Sequence, residues 1–400
     1  KAKDRLEFAK FEAKEVKSLL FPTLYFNTDS TRFVQSKTGI FGSLPPESQA
    51  FFPLKYTQTE FNFDFEYEFD FFEKNKNLWR ASLGDIQAVK VEEIISRLVL
   101  SLSVTETYFR LQKDLIRKQI AEDLEVNREQ LKFLTEKSLS QGLGTEILKN
   151  KSENDLLLAT ENRLQKDLET KLDLHLLQSL VASHSPLCMK NFQITFQDLE
   201  NRFNPVLAQF LAELPLDLIA ARADIQVILH HIRSFGFRIK AAEALFYPNI
   251  NLSLLTGMQT IHLSKLFNGD SFYGTWGPAL HLPIFDGGFL AANLGLRKMD
   301  YKLAVDAYEE KILEAIRQVL DAKIHLETLQ KKLFAAQRIE KNSFSIFKLT
   351  EKRRERNLAS NYDFFEAKAK FLDAQDQVAE LQFLNLQALL NLIQAFGGGY

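Results

Sequence analysis

Aromatic and polar residues alternate without a break from Thr59 to Phe71, and this pattern constrains the fold more than any other part of the chain. Strict alternation predicts a β-strand whose two faces meet different environments. A strand of a membrane barrel, with lipid outside and water inside, requires this arrangement. We expect lipid-facing residues at Phe61, Phe63, Phe65, Tyr67 and Phe69, and lumen-facing residues at Asp64, Glu66, Glu68 and Asp70.

Two long stretches, residues 85–141 and 296–396, lack glycine and proline and carry an apolar residue at every seventh position. The first series is Ile95, Leu102, Phe109 and Ile116, and the second is Val305, Ile312, Val319, Leu326 and Leu333. A seven-residue apolar repeat is typical of coiled coils. A helix from about Leu78 to Gln141 would be roughly 95 Å long at 1.5 Å per residue, so the sequence predicts very long packed helices.

The chain reads as two copies of one structural repeat. In each copy a helix ends at Phe21-Pro22 or at Tyr247-Pro248, because proline stops a helix and favours an extended segment. The predicted strands cover residues 23–34 and 59–72 in the first copy and residues 249–260 and 272–285 in the second. Helical hairpins follow at residues 78–182 and 289–396. The resulting repeats are residues 1–182 and 222–400, with an equatorial segment between them at residues 183–221.

Four strands per chain are too few to close a membrane barrel, and open strand edges are not tolerated in lipid. Three copies would supply twelve strands, which lies within the range of outer-membrane barrels. The long helices also need neighbours for their apolar stripes. The expected fold class is an α+β membrane protein in which long coiled-coil helices form a trimeric α-barrel and four strands per chain contribute to a 12-stranded trimeric outer-membrane β-barrel.

Composition excludes several classes of protein. The formal net charge is -2 and the pI is near 6.5, which gives no reason to expect a nucleic-acid partner. No apolar run approaches 18 residues, so we expect any membrane crossing to be β rather than helical. The single cysteine, Cys188, is interpreted as an incidental thiol. The chain opens with a sequence typical of a helix interior, and we expect an N-terminal piece to precede it.

The sequence gives little support for an enzymatic function. The His230-His231 pair has no second ligand cluster nearby in sequence, as a metal site would require. Gly287-Gly288 lacks the lysine and the spacing of a phosphate-binding loop. We therefore expect no catalytic residues, no cofactor and no metal site.

Several short motifs are distributed along the chain in a fixed order. They lie at residues 67–72, Arg222-Ala223-Asp224-Ile225, Phe246-Tyr247-Pro248-Asn249-Ile250, 277–280, 282–288 and 396–400. These motifs resemble those of the TolC-like outer-membrane efflux proteins, the exit ducts of tripartite drug pumps and of type I secretion. One resembles the family's Arg-Pro-Asp-Ile helix start, with alanine in place of proline. Others resemble its Phe-Tyr-Pro-Ser-Ile segment, its strand-to-helix signature and its glycine-rich end.

The resemblance implies that each helical hairpin turns at a tip that meets a periplasmic adaptor protein. The family's Gly-Leu-x-Ser/Thr tip is matched by Gly142, Leu143, Gly144 and Thr145. The second tip has Asn357, Leu358, Ala359 and Ser360, with asparagine in place of glycine. Both glycine and asparagine visit positive φ, as a tight helix-to-helix turn requires.

Beyond the second tip, Asp363 and Glu366 lie three residues apart on one helical face, where the family carries acids that ring a closed aperture. Three copies would gather at least six carboxylates around a narrow axis. Such a ring attracts cations and makes the constriction sensitive to charge. The corresponding position in the first hairpin is Leu148, so the sequence implies one ring.

The resemblance implies a passive duct that works as a homotrimer in the bacterial outer membrane and extends into the periplasm. Its partners would be outer-membrane lipid, a periplasmic adaptor (membrane fusion) protein and an inner-membrane pump, and its cargo drugs or other small molecules. A type I protein secretion channel of the same family is an alternative. A soluble coiled-coil scaffold or tether is a further alternative, but it leaves the alternating aromatic strand without a purpose.

Overall fold

The computed structural model describes residues 1–40, 43, 45, 53–182 and 220–397. Cys188 and most of the expected equatorial segment lie outside these residues, as does the end of the glycine-rich terminal motif. Among the described residues the α-helices are α1 (Ala2–Ser18), α2 (Lys74–Ser140), α3 (Glu146–Leu180), α4 (Ala223–Ala244), α5 (Phe289–Glu355) and α6 (Asn361–Ala395). The strands are β1 (Thr23–Val34), β2 (Lys55–Phe69), β3 (Asn249–Thr260) and β4 (Phe272–His281).

The four strands form one antiparallel sheet in the order β1-β2-β3-β4, so β1 and β4 are its edges. The register extends the apolar face of β2 across the sheet: Leu24 lies opposite Phe65, Phe65 opposite Leu254, and Leu254 opposite Trp276. On this face Leu24 is 64% exposed and Trp276 is 80% exposed. The sheet therefore presents a large apolar surface.

The opposite face of the sheet is polar. Glu66 lies opposite Thr23 on β1 and opposite Ser253 on β3. Asn62 is buried on this face and donates a hydrogen bond to the Tyr273 hydroxyl at 3.2 Å. From Thr59 to Phe69 the two faces of β2 thus differ in chemistry, as the alternating sequence predicts.

One boundary in this region was predicted wrongly. The predicted strand 59–72 runs from Lys55 to Phe69 instead, so Asp70 is not a strand residue. Its carboxylate accepts the backbone N–H groups of Asn75 at 3.1 Å and of Lys76 at 2.7 Å, at the start of α2. A carboxylate that satisfies free N–H groups stabilises a helix N-terminus, and here it ends the strand.

The second copy makes the same transition. The strand β4 ends at His281, four residues before the predicted boundary. Asp286 accepts the N–H groups of Gly288 at 2.9 Å and of Leu290 at 2.7 Å, where α5 begins. These backbone hydrogen bonds lower the pKa of Asp286. In both copies, therefore, an aspartate follows the end of the strand and accepts backbone N–H groups at the start of the next helix.

The two helical hairpins have equal lengths. The long helices α2 and α5 each contain 67 residues, and the returning helices α3 and α6 each contain 35. Lys74 and Phe289, which begin the long helices, are 215 residues apart, and the same interval separates Glu146 from Asn361. The hairpins are therefore related residue by residue.

Contacts divide the chain into two compact units, and the boundaries fall inside α2 and α5 rather than between the sequence repeats. One unit comprises Lys1–Glu93 and Gln226–Glu309, and the other comprises Ile94–Ile225 and Glu310–Tyr400. The sheet belongs to the first unit. The division differs from the predicted repeats because each long helix continues from one unit into the other.

The helical core of the second unit is centred on α6. Leu326 of α5 packs with Leu389 of α6, and Phe109 of α2 packs with Phe383 of α6. Within the predicted heptad series, Val319, Leu326 and Leu333 are at most 6% exposed. The seven-residue spacing therefore identifies the buried stripe of α5. Among the described helices, none is both long and apolar enough to cross a membrane.

Candidate functional site

The turn between α2 and α3 is held by its backbone. Gly142 has φ +70°, and its N–H donates to the Leu139 carbonyl at 2.9 Å. The N–H of Leu143 donates to the Ser138 carbonyl at 2.9 Å. This pair of bonds defines a Schellman ending, in which a left-handed residue closes the helix. The Thr145 hydroxyl then accepts the Leu148 N–H and caps α3.

The turn between α5 and α6 repeats this geometry at equivalent positions. Asn357 has φ +57°, and its N–H donates to the Arg354 carbonyl at 2.9 Å. The N–H of Leu358 donates to the Arg353 carbonyl at 2.8 Å. The two backbones thus make the same pair of bonds, and both turns present a leucine: Leu143 is 80% exposed and Leu358 is 64% exposed.

A small residue follows the exposed leucine in each turn, and it is glycine in the first turn and alanine in the second. A Cβ at Gly144 would lie 2.9 Å from the Leu139 nitrogen, so the first turn requires glycine there. The equivalent residue of the second turn is Ala359. The second turn is capped more completely, because Ser360 accepts the Asp363 N–H while Asp363 accepts the Ser360 N–H. This reciprocal pair is a capping box.

The two acids predicted at the aperture make different contacts within the chain. The Ser360 hydroxyl donates to the Asp363 carboxylate at 2.7 Å, and this hydrogen bond lowers the pKa of Asp363. Glu366 instead accepts a hydrogen bond from Arg128 of α2. Next to that ion pair, the Asn127 amide donates to the Phe365 carbonyl at 3.0 Å. One acid therefore caps α6, and the other attaches α6 to α2.

A buried cluster of charged residues between α2 and α3 was not predicted from the sequence. The side chain of Asp114 is 2% exposed, and the Lys113 ammonium lies 3.0 Å from it. Arg110 donates to Asp173 of α3 at 2.8 Å. Burial and a hydrogen bond with the Asp173 carboxyl raise the pKa of Asp114 to about 6. The signal was present in the sequence, since Arg110, Lys113, Asp114 and Arg117 recur at the spacing of one helix face.

We expect this cluster to make stability depend on pH. The folded-state pKa of Asp114 is raised, so its protonated form stabilises the fold fully below the ordinary pKa of 3.8, and this contribution is lost as the pH rises to about 6. Asp114→Asn should therefore be more stable than the parent at pH 7.5, with the difference shrinking toward pH 4. Thermal unfolding followed by circular dichroism at both pH values measures it.

Asp167 provides a control of opposite sign. Hydrogen bonds from Lys118 and Lys171 lower the pKa of Asp167 to about 2. Its contribution is present above the ordinary pKa of 3.8 and is lost as the pH falls. Asp167→Asn should therefore lower stability at pH 7.5. Equal behaviour of the two variants would contradict the assignment of the raised pKa to Asp114.

The described residues contain no group of three or more His, Cys, Asp and Glu side chains arranged to hold a metal ion. His231 instead lies 3.5 Å from Asp85, which also accepts a hydrogen bond from Arg238 at 2.8 Å. One member of the histidine pair thus lies beside the Asp85–Arg238 ion pair between α2 and α4.

Comparisons with known proteins agree with the motifs. The family pattern described as Outer membrane efflux protein matches residues 214–398. The multidrug resistance outer membrane protein MdtQ of Escherichia coli O6:H1 is 27% identical over 403 residues, covering 100% of this chain and 82% of that protein. The probable efflux pump outer membrane protein TtgC of Pseudomonas putida is 32% identical over 196 residues, which is 48% of this chain and 40% of that protein.

Solved structures share the fold. The outer membrane channel CmeC of Campylobacter jejuni superposes with a TM-score of 0.82 at 18% identity, covering 100% of this chain and 82% of that chain. The outer membrane protein VceC of Vibrio cholerae gives a TM-score of 0.79 at 22% identity, covering 100% and 92%. Together with the motifs and the paired hairpins, these matches confirm the resemblance. The chain thus resembles the outer-membrane efflux proteins in its motifs, in its sequence and in its fold.

Proposed function

We propose that this chain is the outer-membrane exit duct of a tripartite efflux pump, through which drugs or other small molecules pass passively to the exterior. The observation that carries the proposal is the two-faced sheet. Its apolar face runs through Leu24, Phe65, Leu254 and Trp276 and is widely exposed, whereas soluble proteins seldom expose so large an apolar surface. Contact of this face with lipid explains its exposed apolar residues, and contact of the opposite face with water explains its polar residues.

The sheet also supports assembly of three copies. Each edge strand, β1 and β4, is paired on one side within the chain. Pairing β1 of one copy with β4 of the next would close twelve strands, as lipid requires. On α3, Leu164, Leu168, Leu172 and Leu176 recur every fourth residue and are 42% to 55% exposed. This apolar stripe would pack against a neighbouring copy of the α-barrel.

Small molecules are the favoured cargo. The relatives above are named for multidrug resistance and for efflux, and another, SrpC of Pseudomonas putida, is named for solvent efflux. These names favour efflux over type I protein secretion. The energy for transport would come from an inner-membrane pump, and the two exposed turns would dock a periplasmic adaptor that connects the duct to it.

The assembly is the first test of this proposal. Because four strands cannot close, we expect the detergent-solubilised protein to be a trimer with no stable folded monomer. Analytical ultracentrifugation measures its mass. The same protein should restore drug resistance to a host that lacks its own outer-membrane efflux protein but retains an adaptor and a pump. A folded monomer that needs no detergent would instead support the scaffold or tether hypothesis.

We also propose that Asp363 and Glu366 line a constriction on the three-fold axis. The Asp363 side chain is exposed even while it caps α6, so its charge stays available to the lumen. We expect Asp363→Asn with Glu366→Gln to reduce cation preference, because the ring loses its negative field. The double variant should also increase conductance in planar bilayers, because the ion pair between Arg128 and Glu366 is weakened. Unchanged conductance and unchanged cation preference would place both acids outside the duct.

A further inference from the structure

The two turns share a backbone geometry but differ in charge. Five of the nine residues from 348 to 356 are basic: Lys348, Lys352, Arg353, Arg354 and Arg356. The equivalent residues of the first hairpin, 133–141, include one basic side chain, Lys137. Cations near a helix C-terminus are stabilised by the helix dipole. That effect acts on both helices equally, and it does not explain why one ending has five cations and the other has one.

Three of the five basic side chains contact the hairpin itself. Lys348 donates to Glu351 at 2.9 Å, and Arg353 donates to the Leu358 carbonyl at 3.3 Å. The Arg354 guanidinium lies 3.6 Å from the centre of the Phe364 ring, within the range of a cation–π contact. The first contact lies within α5, whereas Arg353 ties the end of α5 to the turn and Arg354 ties it to α6.

The other two cations, Lys352 and Arg356, are exposed and four residues apart, so they share one side of the helix ending. Of the acids nearby, Asp363 is occupied by both the N–H and the hydroxyl of Ser360, and Glu355 is exposed beside the two cations. Lys352 and Arg356 therefore form a cationic patch next to the exposed Leu358. Their counterparts in the first turn are Lys137 and Gln141.

We propose that this cationic patch, Lys352 and Arg356, receives carboxylates at the tip of the adaptor, so that the second turn selects an acidic adaptor surface and the first turn does not. The inference rests on the proposed docking function of the turns. The proposal is based on charge complementarity, because three copies of the patch place six cations where they can attract carboxylates of the adaptor. Exposed pairs of this kind act chiefly on the association rate and on its salt dependence.

The experiment compares two variants that lose the same charge at equivalent positions. The first is Lys352→Gln with Arg356→Gln, and the control is Lys137→Gln with Gln141→Glu, each a loss of two positive charge units per chain. The adaptor used is one that restores drug resistance to the host together with the parent protein. It is immobilised, and each detergent-solubilised trimer is passed over it. Association rates are measured at low and at high salt. The adaptor is also prepared with its tip Asp and Glu residues changed to Asn and Gln.

We expect the patch variant to associate more slowly at low salt, by on the order of tenfold, and to lose most of its salt dependence. The control should stay close to the parent, and the neutralised adaptor should reproduce the defect with the parent trimer. Equal rates for both variants would overturn the proposal. So would a working adaptor whose tip carries no carboxylate. Failure of the docking function itself looks different, because then the parent trimer binds no adaptor and restores no resistance.

Discussion

Phe65→Arg should sharply reduce the amount of trimer recovered from the outer membrane. Phe65 lies on the apolar face of β2, between Leu24 and Leu254 on the neighbouring strands. An arginine on the lipid face of a barrel costs about 2–4 kcal/mol near the bilayer midplane, and the assembly would contain three copies of the change. Yield and heat resistance of the trimer in outer-membrane fractions measure the effect.

The next residue along the strand provides the control. Glu66 points to the opposite face, where Thr23 and Ser253 are its cross-strand neighbours. Glu66→Arg places the same side chain in water, so we expect a nearly normal yield of trimer. If both arginine variants assembled equally well, the apolar face would not contact lipid, and the central observation behind the proposed function would lose its meaning.

Gly142→Val should abolish efflux while sparing the trimer. Gly142 has φ +70°, and a Cβ added there would meet nothing within 4 Å. The substitution therefore causes no collision inside the chain. It strains the backbone instead, because a β-branched residue in the left-handed region costs roughly 1–3 kcal/mol. We expect the turn to rearrange and the adaptor to lose its docking surface, which drug susceptibility and adaptor cross-linking would both report.

The second hairpin suggests the matched control. Asn357 occupies the position equivalent to Gly142, with φ +57°. Gly142→Asn should keep both the left-handed conformation and efflux, since asparagine tolerates positive φ. Wild-type resistance in the valine variant would remove the first turn from the docking mechanism. A loss of resistance in the asparagine variant would show that the side chain matters at this position, beyond the backbone conformation.

The sequence was sufficient to predict the strand faces and the helical stripes. Alternation at period two places Phe65 and Glu66 on opposite faces whatever the partner strands are. A seven-residue spacing places Leu326 and Leu333 on one buried stripe. The strand boundary at Asp70 was missed, because an aspartate fits both an alternating polar face and a helix cap. Its hydrogen bonds to Asn75 and Lys76 distinguish the two roles.

The candidate site could be predicted in part. Positive φ at Gly142 and Asn357 follows from residue type. The separate contacts of Asp363 and Glu366 do not follow, because Glu366 pairs with Arg128, which is distant in sequence. The burial of Asp114 between two helices likewise depends on which faces of α2 and α3 meet. Spacing within one helix carries no information on that choice.

The equal lengths of the hairpins have a consequence for how this duct can change. Each turn is reached through 67 residues of one helix and left through 35 of the next. Adding one heptad to a long helix and to its returning partner would extend that turn by about 10 Å, more than any side chain could compensate. If the turns dock an adaptor as proposed, a variant lengthened in one hairpin alone would present that adaptor with two turns at different distances from the sheet. An insertion or deletion that changes the length of the duct must therefore occur with equal length in both hairpins.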